Sequence, residues 1–329
     1  MSLRVIRTGL LDTVQDAGRN GFRHLGVNPS GAMDRISAQI ANALLGKELN
    51  APVIELHFPA SVFSVEKPCL LCICGADFTA SVNGVPVPLH HPLALNAGTV
   101  LSFEKHVKGA RAYLAFRPEL QLTPWLKSVS TNLKAGAGGL NGRSLKKDDV
   151  LMFSGNERPA AGLLRGDFTL LPWTTSDTIE WRTEIEYILG SEWHWLSAAS
   201  KENFQQGYFQ VTQGSDRMGF RLSGPQLDTV SHESVLSSGV DFGTIQLLPN
   251  GQLVVLMADH QTIGGYPRIA HVISAHLPLL AQKEPGEVIR FRQTDLATAE
   301  KKRVKQERYL QQLQIASKFK VERFLDAAT

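Results

Sequence analysis

Long apolar runs are missing from this chain of 329 residues. The longest, Cys69 to Ala76 and Leu253 to Ala258, fall far short of the roughly 18 residues that a membrane span requires. The opening Met-Ser-Leu-Arg-Val-Ile-Arg-Thr-Gly has neither the apolar centre nor the small-residue cleavage site of a signal peptide. A cytoplasmic protein without a membrane partner is expected. Cysteine is scarce: Cys69, Cys72 and Cys74 are the only three. Strand alternation through Cys-Leu-Leu-Cys-Ile-Cys puts Cys72 and Cys74 on one face and Cys69 on the other, so they do not converge on an ion. An odd count also speaks against a disulfide framework, and no metal site is expected. Excess charge of one sign is lacking too. The net +3 comes from the stretch after Thr294, and the remainder holds 26 bases and 26 acids. A neutral body lacks the basic surface that nucleic-acid binding needs.

Standard nucleotide and hydrolase motifs are absent as well. No Gly-x-x-x-x-Gly-Lys-Ser/Thr phosphate loop and no Gly-x-Ser-x-Gly nucleophile elbow occurs. The Gly-rich Ala135 to Arg143 has Asn141 where a dinucleotide fingerprint needs its third glycine. It is a candidate anion cradle beside Arg143, or a plain surface loop.

What is present is a globular composition, 43% hydrophobic and 20% charged, punctuated by 28 glycines and 16 prolines. Most of the chain reads as short strands: Leu70 to Cys74, Phe78 to Val82, Val100 to Phe103, Ala112 to Phe116, Gly243 to Leu248 and Leu253 to Met257. Asn83-Gly84 and Asn250-Gly251 mark tight turns, because both residue types tolerate positive φ. Helical periodicity is confined to Ala32 to Leu45, to Ala198 to Gln206 and to the Lys-, Glu- and Gln-rich stretch from Leu296 to Ala328, which Thr294 or Asp295 can cap. A faint internal repeat aligns Phe63–Asp77 with Ile245–Asp259, each read as strand, turn, strand and Ala-Asp. The fold expected is mainly β: two related barrel-like halves, residues 1–155 and 156–294, with short helices and a C-terminal helical extension, 295–329. Four of the five tryptophans crowd into Trp173 to Trp195, as aromatic packing or as a partner surface.

Polar, glycine-punctuated turns carry the candidate chemistry, since glycine lets backbone approach a ligand closely. They are Thr13–Gly26, Ser30–Asp34, Gln213–Arg221 and Asp259–Pro267. Asp16, His24 and Asp259 are the candidate proton-transfer residues. Arg19, Ser30, Asp34, Arg217, Gln261, Thr262 and Tyr266 are candidate substrate contacts, the arginines because a guanidinium fork fits a carboxylate or carbonyl. Arg217 and Asp259 of the second half are expected to face Asp16, Arg19 and His24 of the first across one cleft.

These same turns resemble a known family. Gly9-Leu-Leu-Asp-Thr-Val-Gln-Asp-Ala-Gly-Arg19, His24-Leu-Gly26, Ser30-Gly-Ala-Met-Asp34, Gly75-Ala-Asp77, Ser215-Asp-Arg-Met-Gly219, Ser238-Gly239 and Asp259-x-Gln-Thr-x-Gly-Gly-Tyr-Pro267 are similar, in order, to the KipA family. Its members are known as the C subunit of 5-oxoprolinase, allophanate hydrolase subunit 2 or the biotin-dependent carboxyltransferase domain. The resemblance implies cyclophilin-like β-barrel halves, a KipI-like B subunit, plus a LamB/YcsF-like A subunit for 5-oxoproline cleavage. The function it implies first is ATP-dependent hydrolysis of 5-oxoproline to glutamate within such a complex, with ATP acting through the complex. The alternatives are carboxyl transfer to a urea-like substrate with biotin supplied in trans, and a non-enzymatic antagonist of a KipI-like kinase inhibitor. No Met-Lys-Met biotin-attachment sequence is present.

Overall fold

The computed structural model describes residues 2–154, 166–176, 181–230 and 235–326. It is mostly β, with four α-helices among the described residues, and it divides into two compact units. Unit 1 comprises Met1–Gly18, Asp34–Thr178 and Glu307–Thr329; unit 2 comprises Arg19–Met33 and Ile179–Gln306. Neither unit is a continuous stretch of chain. The expected cut at residues 155–156 lies outside the described residues.

Unit 1 holds two six-stranded sheets. Its first strands are β1 (Ser2–Arg7), β2 (Thr13–Gln15), β3 (Val53–Leu56), β4 (Val62–Val65), β5 (Cys69–Asp77) and β6 (Ala80–Val82). They are followed by β7 (Val85–Pro86), β8 (Leu93–Leu95), β9 (Val100–Phe103), β10 (Lys108–Arg117), β11 (Val150–Met152) and β12 (Phe168–Leu170). One sheet runs β11-β1-β4-β9-β6-β7, the other β12-β8-β5-β10-β3-β2. Strand β5 reads as an unbroken apolar run because both of its faces are buried. It pairs with β10 from Leu70↔Arg117 to Gly75↔Ala112. Cys72 and Cys74 share a face, their Sγ atoms 3.9 Å apart, as the alternation predicts. The core between the strands gathers Leu3, Phe63, Leu71, Ile73, Leu114 and Phe116.

Helix α1 (Arg35–Leu44) packs Ile40, Ala41, Ala43 and Leu44 inward. Asp34 caps it, its carboxylate accepting from Ser37 N at 2.9 Å and Ser37 Oγ at 2.6 Å. Just past its end Gly46 has φ +64, and a Cβ there would lie 2.8 Å from Lys318 Cα. Only glycine admits that approach of helix α4 (Leu296–Asp326).

Unit 2 is a closed seven-stranded barrel, β13-β20-β17-β18-β15-β14-β21. The strands are β13 (Glu184–Leu189), β14 (Tyr208–Val211), β15 (Gly219–Ser223), β17 (Thr244–Leu247), β18 (Leu253–Leu256), β20 (Arg268–Val272) and β21 (Val288–Gln293). All neighbours run antiparallel except β13 and β21, whose parallel pairing closes the barrel. A two-stranded ribbon, β16 (Ser238–Gly239) with β19 (Ile263–Gly264), lies outside it. Helices α2 (Ala198–Gln206) and α3 (Leu277–Ala281) complete the unit. The barrel core is aromatic: Tyr187, Phe204, Phe209 and Phe291 meet at ring-centroid distances of 4.8–6.2 Å. Trp193 joins them, 5.5 Å from Phe204. Trp173 is buried in unit 1, where its Nε1 donates to Leu44 O at 3.0 Å. These two tryptophans of the aromatic segment therefore serve packing.

Two expectations need correction. The aligned repeat segments are not equivalent hairpins, because β17 and β18 pair with each other while β4 and β5 lie in different sheets. Helix α3 escaped the sequence reading because Pro278 interrupts a short apolar stretch; at the first helical turn proline is tolerated, since its missing N–H has no intrahelical partner there.

Candidate functional site

Arg19 and His24, expected from the first half, fold with the barrel unit, because the whole segment Arg19–Met33 belongs to unit 2. Within this unit, three of the sequence candidates meet directly. The Asp216 carboxylate accepts from Met218 N at 2.8 Å and Gly219 N at 3.1 Å, a side-chain turn that reverses the chain before β15. Arg217, at its apex, donates through Nε to Asp259 Oδ2 at 2.8 Å and through Nη2 to Gly31 O at 2.6 Å. Ser30 Oγ donates to Asp259 Oδ1 at 2.6 Å, and Asn28 Nδ2 to Asp259 O at 2.9 Å. Asp259 N closes the set on Arg217 O at 2.7 Å. Arg217 is 6% exposed and Asp259 9%, so the ion pair is desolvated and each partner needs the other. The main-chain N–H of Arg19 donates to Pro29 O at 2.6 Å, and its side chain is fully buried.

Beside this knot lies the loop that leads to β19. His260 is buried, its Nδ1 2.6 Å from Gln261 O and its Nε2 3.7 Å from Asp241 Oδ1. Burial holds the imidazole below its ordinary value, against a raising influence from the Gln261 carbonyl and from Asp241. Arg23 Nη1 meets Asp241 Oδ2 at 3.0 Å and its Nη2 donates to Val240 O. Gln261 and Thr262 are half-buried, while His24 and Tyr266 are exposed. The sequence reading passed over Arg23, Asp241 and His260. Arg23 and His260 stood in the singled-out turns, but no spacing rule ties either to position 241.

Unit 1 holds the remaining candidates. Asp16 Oδ1 accepts from Gly18 N, Ser128 Oγ and Ser130 Oγ at 2.8, 2.6 and 2.5 Å, and Oδ2 from Val129 N at 2.7 Å. Three donors meet Oδ1 and one meets Oδ2, so the carboxylate braces a turn. Asp34 is the cap of α1 already described, and its N–H donates to Tyr113 Oη at 2.7 Å. The anion cradle beside Arg143 is also displaced, because Arg143 makes a two-pronged pair with Asp149, Nη1 at 2.7 Å and Nη2 at 2.8 Å. That partner holds Asp149 below the ordinary carboxylate range.

The sequence profile of the carboxyltransferase domain, subdomains A and B, matches residues 25–293. The chain belongs to that family. It is 37% identical over 311 residues to the C subunit of 5-oxoprolinase from Escherichia coli K12, covering 94% of this chain and 97% of that protein. It is 34% identical over 301 residues to the 5-oxoprolinase C subunit from Haemophilus influenzae, covering 92% of this chain and 94% of that protein. Urea amidolyase of Saccharomyces cerevisiae is 30% identical over 309 residues, which is 88% of this chain and 16% of that protein. Among solved structures, Kluyveromyces lactis urea carboxylase superposes with a TM-score of 0.85 at 25% identity, covering 95% of this chain and 29% of that one. The protein TTHA0988 superposes at 0.76 with 29% identity, covering 88% and 55%.

Proposed function

We propose that this chain is the C subunit of an ATP-dependent 5-oxoprolinase, which opens the lactam of 5-oxoproline to glutamate together with a KipI-like B subunit plus a LamB/YcsF-like A subunit. The observation that carries this reading is the end-to-end match to the Escherichia coli protein of that name, over 97% of its length. Carboxyl transfer to a urea-like substrate, with biotin supplied in trans, is the second reading. It is supported by the family and by the urea amidolyase and urea carboxylase relatives, in which this region is a small part of a much longer protein. Residues 1–155 and 156–294 remain proposed as the two related halves, with 295–329 as a helical extension.

In formal balance, one water opens the ring and a second hydrolyses ATP, giving glutamate, ADP and phosphate. An amide resists water because its nitrogen is a poor leaving group, and ATP offers activation by turning the amide oxygen into a better leaving group. The residues here do not fit a polyphosphate: Arg217 is engaged by Asp259 and Gly31, Arg143 by Asp149, and the sequence has no phosphate loop. ATP is therefore assigned to the complex. The residues offered to substrate are Gln261, Thr262, Tyr266 and His24, arranged around a framework fixed by Arg217, Asp259 and Ser30, with Arg19 buried behind it. The complex is proposed to be cytoplasmic; within the described residues no helix is long and apolar enough to cross a membrane.

The deciding experiment reconstitutes the chain with candidate A and B partners and follows glutamate and phosphate release. Turnover is expected to need all three chains, 5-oxoproline and ATP together. Turnover by this chain alone, or urea-dependent use of carboxybiotin in place of 5-oxoproline cleavage, would sink the proposal.

A further inference from the structure

One residue of the barrel unit, Gln261, is held at its main chain and at its side chain by buried neighbours to which the functional reading gives no role. At the main chain, His260 Nδ1 lies 2.6 Å from Gln261 O. A carbonyl only accepts, so the ring proton sits on Nδ1. The other ring nitrogen faces Asp241, which Arg23 holds from beyond at 3.0 Å. At the side chain, Gln261 Nε2 stands 3.5 Å from Oε1 of Gln246 in β17. His260 and Gln246 are each 1% exposed, so their positions are fixed by packing. Gln246 Nε2 has no acceptor among the described residues. It lies against the ribbon strand β19, where a Cβ on Gly264 would come within 2.6 Å of it. A buried donor without an acceptor is costly. Kept beside a half-buried polar loop, it marks a hydrogen-bond set left open among the described residues.

We propose that His260 and Gln246 are positioning residues that set the Gln261 carboxamide to read the cis amide of a lactam. This rests on the 5-oxoproline reading above and extends it to the residues that recognise the ring. A carboxamide carries an acceptor and a donor side by side, and a five-membered lactam presents N–H and C=O on the same side of its amide bond. The two match as a pair of hydrogen bonds, provided the carboxamide plane is fixed. Gln261 directs one N–H toward Gln246, which leaves its second N–H and its Oε1 for the ring. Such a pair separates substrate from product, because ring opening turns the cis amide into an ammonium and a carboxylate.

The test uses the reconstituted complex with 5-oxoproline and ATP. Gln246→Leu and His260→Ala should each raise KM for 5-oxoproline about tenfold, the equivalent of 1.4 kcal/mol, while kcat falls less. His260→Asn, whose Nδ2–H stands where the ring Nδ1–H stood, should bring KM back toward the wild-type value. N-methyl-5-oxoproline lacks the donor, so it should bind the wild-type and His260→Ala complexes equally weakly. An unchanged KM in Gln246→Leu, or a KM in His260→Asn as poor as in His260→Ala, overturns the inference and leaves the 5-oxoprolinase reading standing. If His260→Ala does not fold, a raised KM in His260→Asn has the same force. If the wild-type complex does not turn over 5-oxoproline, the functional reading fails first and the lactam assignment falls with it.

Discussion

Arg217 and Asp259, 42 positions apart in the chain, form a buried ion pair, and their backbones are joined as well by Asp259 N donating to Arg217 O at 2.7 Å. Through Gly31 O and Ser30 Oγ the same pair fixes the segment that follows Asn28. The guanidinium thereby braces the framework of the candidate site.

Arg217→Ala should consequently cost stability as well as activity. Removing one partner strands the Asp259 charge in a buried place, a loss on the order of 3–5 kcal/mol. Urea unfolding of the isolated chain measures it. A variant as stable as wild type that fails only in the assembled assay would restore the direct substrate role.

Asp12 gives unit 1 a titration below neutrality. Burial pushes its carboxyl up to about 6, against hydrogen bonds from the N–H groups of Ser61 and His57. With the folded value above the unfolded one, the folded state holds the proton more tightly. This contribution is full below about pH 4 and is lost as pH rises through 6, about 3 kcal/mol in all. The stability difference between wild type and Asp12→Asn, followed by urea unfolding from pH 4 to 7, should fall by about that amount and then level off. A difference that stays constant with pH would refute the assignment.

Glu186 on β13 ties the foot of α4 to the barrel unit. Burial alone would raise its carboxyl, but Lys302 at 2.5 Å, with His276 and Arg292 nearby, holds it below the ordinary value. The sign is opposite to that of Asp12: the stabilisation is present above the unfolded value near 4.5 and is lost as pH falls below it. Lys302 is partly exposed, so Lys302→Met should cost only about 1 kcal/mol at neutral pH. It should also shrink the acid-induced loss of stability. Identical acid unfolding in the two proteins would rule the pair out as the cause.

The C-terminal helix packs its own side chains into unit 1. Leu310 and Val321 of α4 are 3% and 0% exposed. Gln314 Nε2 donates to Lys47 O at 2.7 Å, and the Phe324 ring meets Trp173 edge to face at 6.1 Å. Truncation after Asp295 should lower the melting temperature and expose apolar surface to a dye. Retention of full thermal stability would show that these contacts contribute nothing. Ile315 and Phe319, 71% and 61% exposed, are the part of the helix still open to a partner.

Local rules were enough wherever neighbours in sequence decide the outcome. The Asn83-Gly84 turn joins β6 to β7 with both residues at positive φ. Asp295 caps α4 through Thr298, its carboxylate accepting from Thr298 N at 2.8 Å and Thr298 Oγ1 at 2.9 Å. Cys72 and Cys74 share a face because strand side chains alternate with period two. Even the turns that carry the candidate site were visible, since glycine beside charge is a local signal. What each charge does was decided only by folding. Asp16, Asp34 and Asp259 look alike in sequence, each an acid in a polar, glycine-punctuated turn. One braces a turn, one caps a helix, and one neutralises a buried arginine. Strand pairing had the same limit: nothing local tells that β17 and β18 pair while β4 and β5 part to different sheets. Hydrogen-bond and ion-pair partners far apart in the chain meet only once the sheets close, and desolvation there makes their pairing obligatory.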